Sequence, residues 1–270
     1  MVTTRDLRER AGEEPITMLT AYDAPTAAIV DEAGVDVILV GDSMGNAVLG
    51  YDTTLPVTLE EMHSRTAAVA RATEEALVVA DMPFLSFGVD AAESVENAGR
   101  LLKEANADAI KIESGRHTVE LTERLTRVGI PVMAHVGLTP QQVNQLGGYA
   151  RQGTTENAAR DLIELAIAHQ EAGAFSIVLE HVPANVAARV TDELSIPTIG
   201  IGAGGDCDGQ VLVITDVLGI EEESPSFSKQ YADLRGEMAR AVEAFKREVE
   251  SGEFPAEEHT HVEEDLGELN

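Results

Sequence analysis

Five ionisable side chains each end a short apolar run: Asp42 after VILVG, Asp81 after LVVA, Glu113 after AIKI, His135 after PVMA and Glu180 after SIVL. Carboxylates are hard oxygen ligands, so Asp42, Asp81 and Glu113 together suit a cation such as Mg2+. That ion commonly takes one or two protein carboxylates and keeps its other positions for water and substrate. The chain has neither a His-x-x-x-His pair nor paired cysteines, which disfavours catalytic zinc. One acid at a strand end can simply cap the helix that follows. Successive strands ending in acids need a further reason, and a shared site supplies one.

Lys111 lies inside the run AIKIE. Strand side chains alternate faces, so Lys111 and Glu113 point one way while Ile110 and Ile112 point the other. A buried ammonium needs a partner, and Asp81 or Glu113 could pair with it structurally. The other lysines are only Lys103, Lys229 and Lys246, which favours a substrate-binding role for this one. Ser43 could donate a hydrogen bond to a substrate carboxylate; its context, GDSMG, is not a nucleophile elbow. His135 could reach substrate or act as a structural donor. Glu180 at a partly desolvated rim can act as a general base, with a helix cap or salt bridge as the alternative. The stretch IGIGAGGDCDG, 199–209, lacks the Walker lysine and the dinucleotide spacing. It reads as a tight strand-end turn that leaves room for a ligand. Cys207, the only cysteine, reads as a small buried or half-buried residue.

Parallel β-α units would bring these residues together, because the carboxyl ends of parallel strands form one face. The apolar runs predict strands at 16–19, 36–40, 77–80, 109–112, 131–134, 175–179 and 197–200, with 211–215 the least distinct. Helices are predicted over 24–33, 58–72, 90–106, 117–128, 155–171, 184–193 and 228–250, and an irregular loop over 137–153. Eight strands imply a (β/α)8 TIM barrel, with a doubly wound open sheet as the alternative. The barrel is expected to form one catalytic domain over 1–254, followed by an acidic, flexible tail at 255–270.

Nineteen Lys plus Arg stand against 48 Asp plus Glu, a net charge of −29. A surface this acidic repels nucleic acid and anionic membranes. It fits a high-salt cytoplasm, where salt screens self-repulsion. The apolar fraction of 44% is ample for a core, so the charge does not signal disorder. The first residues, MVTTRDLRERAGEEP, carry no apolar signal core, and a cytoplasmic location is expected.

Several motifs occur in order: TAYD (20–23), VGDSMGNAVLGYDTTLPVT (40–58), ADMPF (80–84), KIE (111–113), HVGLTPQ (135–141), GGY (147–149), LE (179–180) and IPTIGIGAG (196–204). With them the chain resembles the ketopantoate hydroxymethyltransferase family, from about residue 4 to 258. The resemblance implies a β/α barrel, Mg2+, and transfer of a one-carbon unit from 5,10-methylenetetrahydrofolate to 3-methyl-2-oxobutanoate. It implies Asp42 and Asp81 as metal ligands, with Glu113 holding the ion directly or through water. Asp42, Ser43, Asp81, Lys111 and His135 would bind substrate, and Glu180 would be the base. A large homo-oligomer such as a homodecamer is implied as well. The alternative is a Mg2+-dependent carbon–carbon lyase of the isocitrate lyase or phosphoenolpyruvate mutase type.

Overall fold

The Val- and Ile-rich runs pair side by side in parallel until the sheet closes on itself. The structure, a computed structural model, describes residues 1–263; the rest of the acidic tail, 264–270, lies outside the described residues. The strands are β1 (Ile16–Thr20), β2 (Val37–Val40), β3 (Leu77–Asp81) and β4 (Ala109–Glu113). They continue with β5 (Val132–Gly137), β6 (Ser176–Glu180), β7 (Thr198–Ile201) and β8 (Gly209–Leu212). Each pairs with the next, and β8 returns to β1, which completes the expected (β/α)8 barrel. Alternate side chains such as Met18, Leu39, Val79, Met133 and Ile199 fill its interior. The opposite faces of β5 and β6, including Val136 and Leu179, pack against Leu162, Ala166 and Val190 of the surrounding helices.

Helices start where side-chain oxygens meet the first free amides. Asp23, Thr58, Asp90 and Thr155 cap the helices Ala24–Glu32, Leu59–Ala70, Ala91–Lys103 and Glu156–Glu171. None of the strand-end acids Asp42, Asp81, Glu113 or Glu180 is an N-cap, so capping does not account for them.

The last repeat departs from expectation. The eighth strand is Gly209–Leu212 instead of 211–215, and Ile214 opens the helix Ile214–Leu218. The Ile214 N–H donates to the Thr20 hydroxyl at 3.0 Å, which turns the chain out of the sheet. The final helix is Leu234–Ser251, because Asp233 caps it by accepting from the Gly236 N–H. The irregular loop after β5 contains a 3-10 turn, Pro140–Gln142, and a helical turn, Val143–Leu146.

The chain groups into two compact units. One comprises Met1–Ile214 with Pro225–Ser228, and the other Thr215–Ser224 with the chain from Lys229 onward. In the second unit the long helix buries none of its residues, and the Phe254 ring lies against those of Phe245 and His259. No helix among the described residues is long and apolar enough to cross a membrane.

At the amino-terminal end of the barrel, three aspartates precede strands and grip a neighbouring strand's amide. Asp36 accepts from the Thr17 N–H at 2.8 Å, Asp108 from the Val78 N–H at 2.9 Å, and Asp208 from the Thr198 N–H at 2.7 Å. Asp36 also meets the Thr17 hydroxyl at 2.7 Å and the Arg10 guanidinium at 2.5 Å. Burial pushes the Asp36 carboxyl up, but Arg10 and the Thr17 donors outweigh it and hold the group below its ordinary value. A depressed folded-state pKa stabilises the fold above the unfolded carboxylate value and loses that effect as pH falls through the folded one. Asp36→Asn is therefore expected to lower stability by about 1–2 kcal/mol at pH 7. The gap to wild type should narrow as pH falls below the ordinary carboxylate value of about 3.9 and the wild-type side chain takes up its proton. Urea unfolding at pH 7 and below that value tests this; equal stabilities at pH 7 would refute it.

Candidate active site

Alternation along the strands sets the inward positions at the carboxyl-terminal end. The register places Asp81 opposite Lys111, Glu113 opposite His135, and Gly137 opposite Glu180. The Lys111 ammonium lies 2.5 Å from Asp81 Oδ1, and both side chains are buried. The Asp42 N–H donates to Asp81 Oδ2 at 3.0 Å, so both oxygens of Asp81 are engaged. Glycine permits this crowding: a Cβ on Gly41 would lie 2.6 Å from the Ser43 hydroxyl. Gly137 has φ +100°, and a Cβ there would meet the Glu180 carbonyl oxygen at 2.2 Å. That same oxygen accepts from the Leu138 N–H at 2.8 Å, which holds the β5 and β6 ends together.

Charge at this end does not balance. Asp42, Asp81, Glu113 and Glu180 face one another with Lys111 as their cation. Burial, and then repulsion from Asp81, pushes the Asp42 carboxyl up to about 7. Burial and Asp42 push Glu113 well above the usual carboxylate range. For Lys111 burial pulls downward, but Asp81 and Asp42 more than offset it and the ammonium is held.

His135 is buried, with Nε2 3.1 Å from Glu180 Oε2. Neither ring nitrogen has a hydrogen-bond partner among the described residues, so the approach is close but not aligned. The Ser43 hydroxyl lies 2.9 Å from that of Tyr22, a fully buried phenol. The room foreseen beside the glycine-rich turn is taken: the Phe227 ring lies where a Cβ of Gly202 would stand, and also packs on His181.

Gln141 has no counterpart in the residue-by-residue expectations, although it closes the motif HVGLTPQ. Its side-chain amide donates to Asp42 Oδ2 at 2.8 Å and to the Met82 carbonyl at 3.0 Å, and its backbone N–H donates to Glu113 at 2.9 Å. Tyr149, in the GGY motif, was missed too; burial raises its phenol, as do the nearby charges of Glu180, Asp42 and Glu113. The motif order marked both residues, but no spacing rule did.

The donor chemistry suits a hard divalent ion: oxygen ligands only, no thiolate, and surplus negative charge. Among the described residues, no three His, Cys, Asp or Glu side chains converge as a finished metal cage. One or two carboxylates with substrate and water completing the sphere is the arrangement that fits.

A family model describing ketopantoate hydroxymethyltransferase matches residues 1–257. The chain is 66% identical over its whole length to the 3-methyl-2-oxobutanoate hydroxymethyltransferase of Haloarcula marismortui, all of which it covers. It is 52% identical to that of Syntrophus aciditrophicus, with 97% of each chain covered. Among solved structures, phosphonopyruvate hydrolase in complex with oxalate and Mg++ aligns with a TM-score of 0.61, covering 96% of this chain and 93% of its own. A 2,3-dimethylmalate lyase aligns at 0.60, covering 98% and 92%. These two are 14% and 17% identical to the chain and share its fold alone. Family match and full-length relatives agree with the strand-end chemistry: the chain belongs to the ketopantoate hydroxymethyltransferase family.

Proposed function

We propose that the protein transfers the one-carbon unit of 5,10-methylenetetrahydrofolate to 3-methyl-2-oxobutanoate, giving 2-dehydropantoate. The observation that carries this reading is the cluster of three buried carboxylates around a single ammonium, with the half-buried Glu180 lining it beside His135. Such a rim suits a reaction that binds a small anion and then removes a proton from it. A carbon–carbon lyase is the weaker reading, because relatives of that kind share only the fold.

Asp42 and Asp81 would hold Mg2+, with Glu113 reaching it directly or through water; bound there, the ion supplies Lewis acidity to the keto oxygen. Lys111 and the Ser43 hydroxyl hold the substrate carboxylate, which fixes the carbon next to the keto group. Glu180 takes the proton from that carbon. The electron pair left behind forms the new bond to the folate methylene carbon; both bonds from that carbon to nitrogen break, water supplies the hydroxyl, and the two nitrogens take up the proton removed from C3 and one from water, which leaves tetrahydrofolate. His135 lies against Glu180, with Nε2 3.1 Å from Oε2. A large homo-oligomer and a cytoplasmic setting belong to this proposal.

Glu180→Gln is expected to bind 3-methyl-2-oxobutanoate normally and to exchange its C3 proton with deuterium at least ~100-fold more slowly, the scale of a lost general base. Proton NMR in heavy water measures this, and wild-type exchange would remove Glu180 from the role. Asp42→Ala and Asp81→Ala are each expected to need at least ~10-fold more Mg2+ for half-maximal turnover. An unchanged Mg2+ titration in both would remove the pair as ligands.

A further inference from the structure

Gln141 touches three strand ends at once. Its loop leaves β5 extended at Thr139 and enters the 3-10 turn Pro140–Gln142. Proline has no N–H, so the first free amide of the turn is that of Gln141. That amide meets the Glu113 carboxylate at 2.9 and 3.2 Å. Both hydrogens of the side-chain NH2 are spent as well, one on Asp42 Oδ2 and one on the Met82 carbonyl. Met82 follows Asp81 at the end of β3, and its own N–H donates to the Lys111 carbonyl at 2.9 Å. One buried residue thus links the ends of β2, β3 and β4.

The choice of an amide has a chemical consequence. A lysine at 141 would hold Asp42 equally well, but it would neutralise the charge that a cation needs. The glutamine donor fixes Asp42 through Oδ2 and brings no positive charge of its own. Among the described residues, Asp42 Oδ1 receives no hydrogen bond from the protein, whereas Oδ2 is taken by Gln141. Groups that hydrogen-bond a ligating carboxylate set its orientation and thereby its affinity for the ion.

We propose that Gln141 is a positioning residue that ties Asp42 through Oδ2 and Glu113 through its backbone amide, so that Asp42 Oδ1 is presented to a divalent cation. This rests on the reading of Asp42 as a cation ligand. The test uses full-length protein titrated with Mn2+ and followed by electron paramagnetic resonance, without turnover. Gln141→Met keeps the length and removes the donor; Gln141→Asn keeps an amide that falls one methylene short and serves if the first variant does not fold. Each is expected to weaken Mn2+ binding by about 10–100-fold, the usual effect of losing such a partner. The thermal midpoint of the ion-free variants should stay within a few degrees of wild type, which a purely structural role would not allow. Mn2+ affinity within twofold of wild type in a folded variant would overturn the role of Gln141. Asp42→Ala separates the two levels: if it loses the ion while Gln141→Met keeps it, only the positioning role falls. If Asp42→Ala also keeps wild-type affinity, the ligand reading falls with it.

Discussion

The ion pair between Lys111 and Asp81 is the contact on which the barrel's working end depends. It is the internal neutralisation in a rim of four acids, and it is buried on both sides. Removing one partner of such a pair leaves an uncompensated charge, at a cost of about 3–5 kcal/mol. The pair also sets the surplus. With Asp81 satisfied by Lys111 and by the Asp42 amide, the unbalanced charge falls on Asp42 and Glu113, the two carboxyls driven upward. On the proposed reading, a positive ion and an anion would enter such a site together, since each offsets what the other brings.

The two ends of the barrel use the same residue type for opposite purposes. At the amino-terminal end Asp36 is surrounded by donors and held below its ordinary pKa. At the carboxyl-terminal end Asp42 faces other carboxylates and is pushed above it. Neighbours decide the outcome. The acidic composition follows neither logic; relatives of the chain include proteins of halophiles such as Haloarcula marismortui, and high salt would screen a surface this crowded with charge.

Much of this was legible in the sequence because strands write their geometry in a period of two. Lys111 and Glu113 had to share a face, and five runs ending in ionisable groups had to meet on a rim. The eighth strand was misplaced because Gly209 and Gln210 carry no apolar signal, while the VLVIT that follows carries a strong one. Gln141 was hidden for another reason. Its meaning depends on a proline-set turn meeting a strand 28 positions earlier and a loop 99 positions earlier. No local period encodes a contact of that kind. His135 was half legible: its place was right, but its unaligned approach to Glu180 is a matter of angle.

The aspartates before β2, β4 and β8 bear on how such a sheet is assembled. A closed barrel has no edge strand, so nothing at its margin stops a strand from sliding along its neighbour. A slip of one residue would turn Lys111, Glu113 and His135 outward and the isoleucines inward. Each aspartate binds an amide at one fixed position in the adjoining strand: Thr17, Val78 or Thr198. They serve as counting marks, and the alignment that they impose at one mouth of the barrel fixes, a few residues further on, which side chains reach the other.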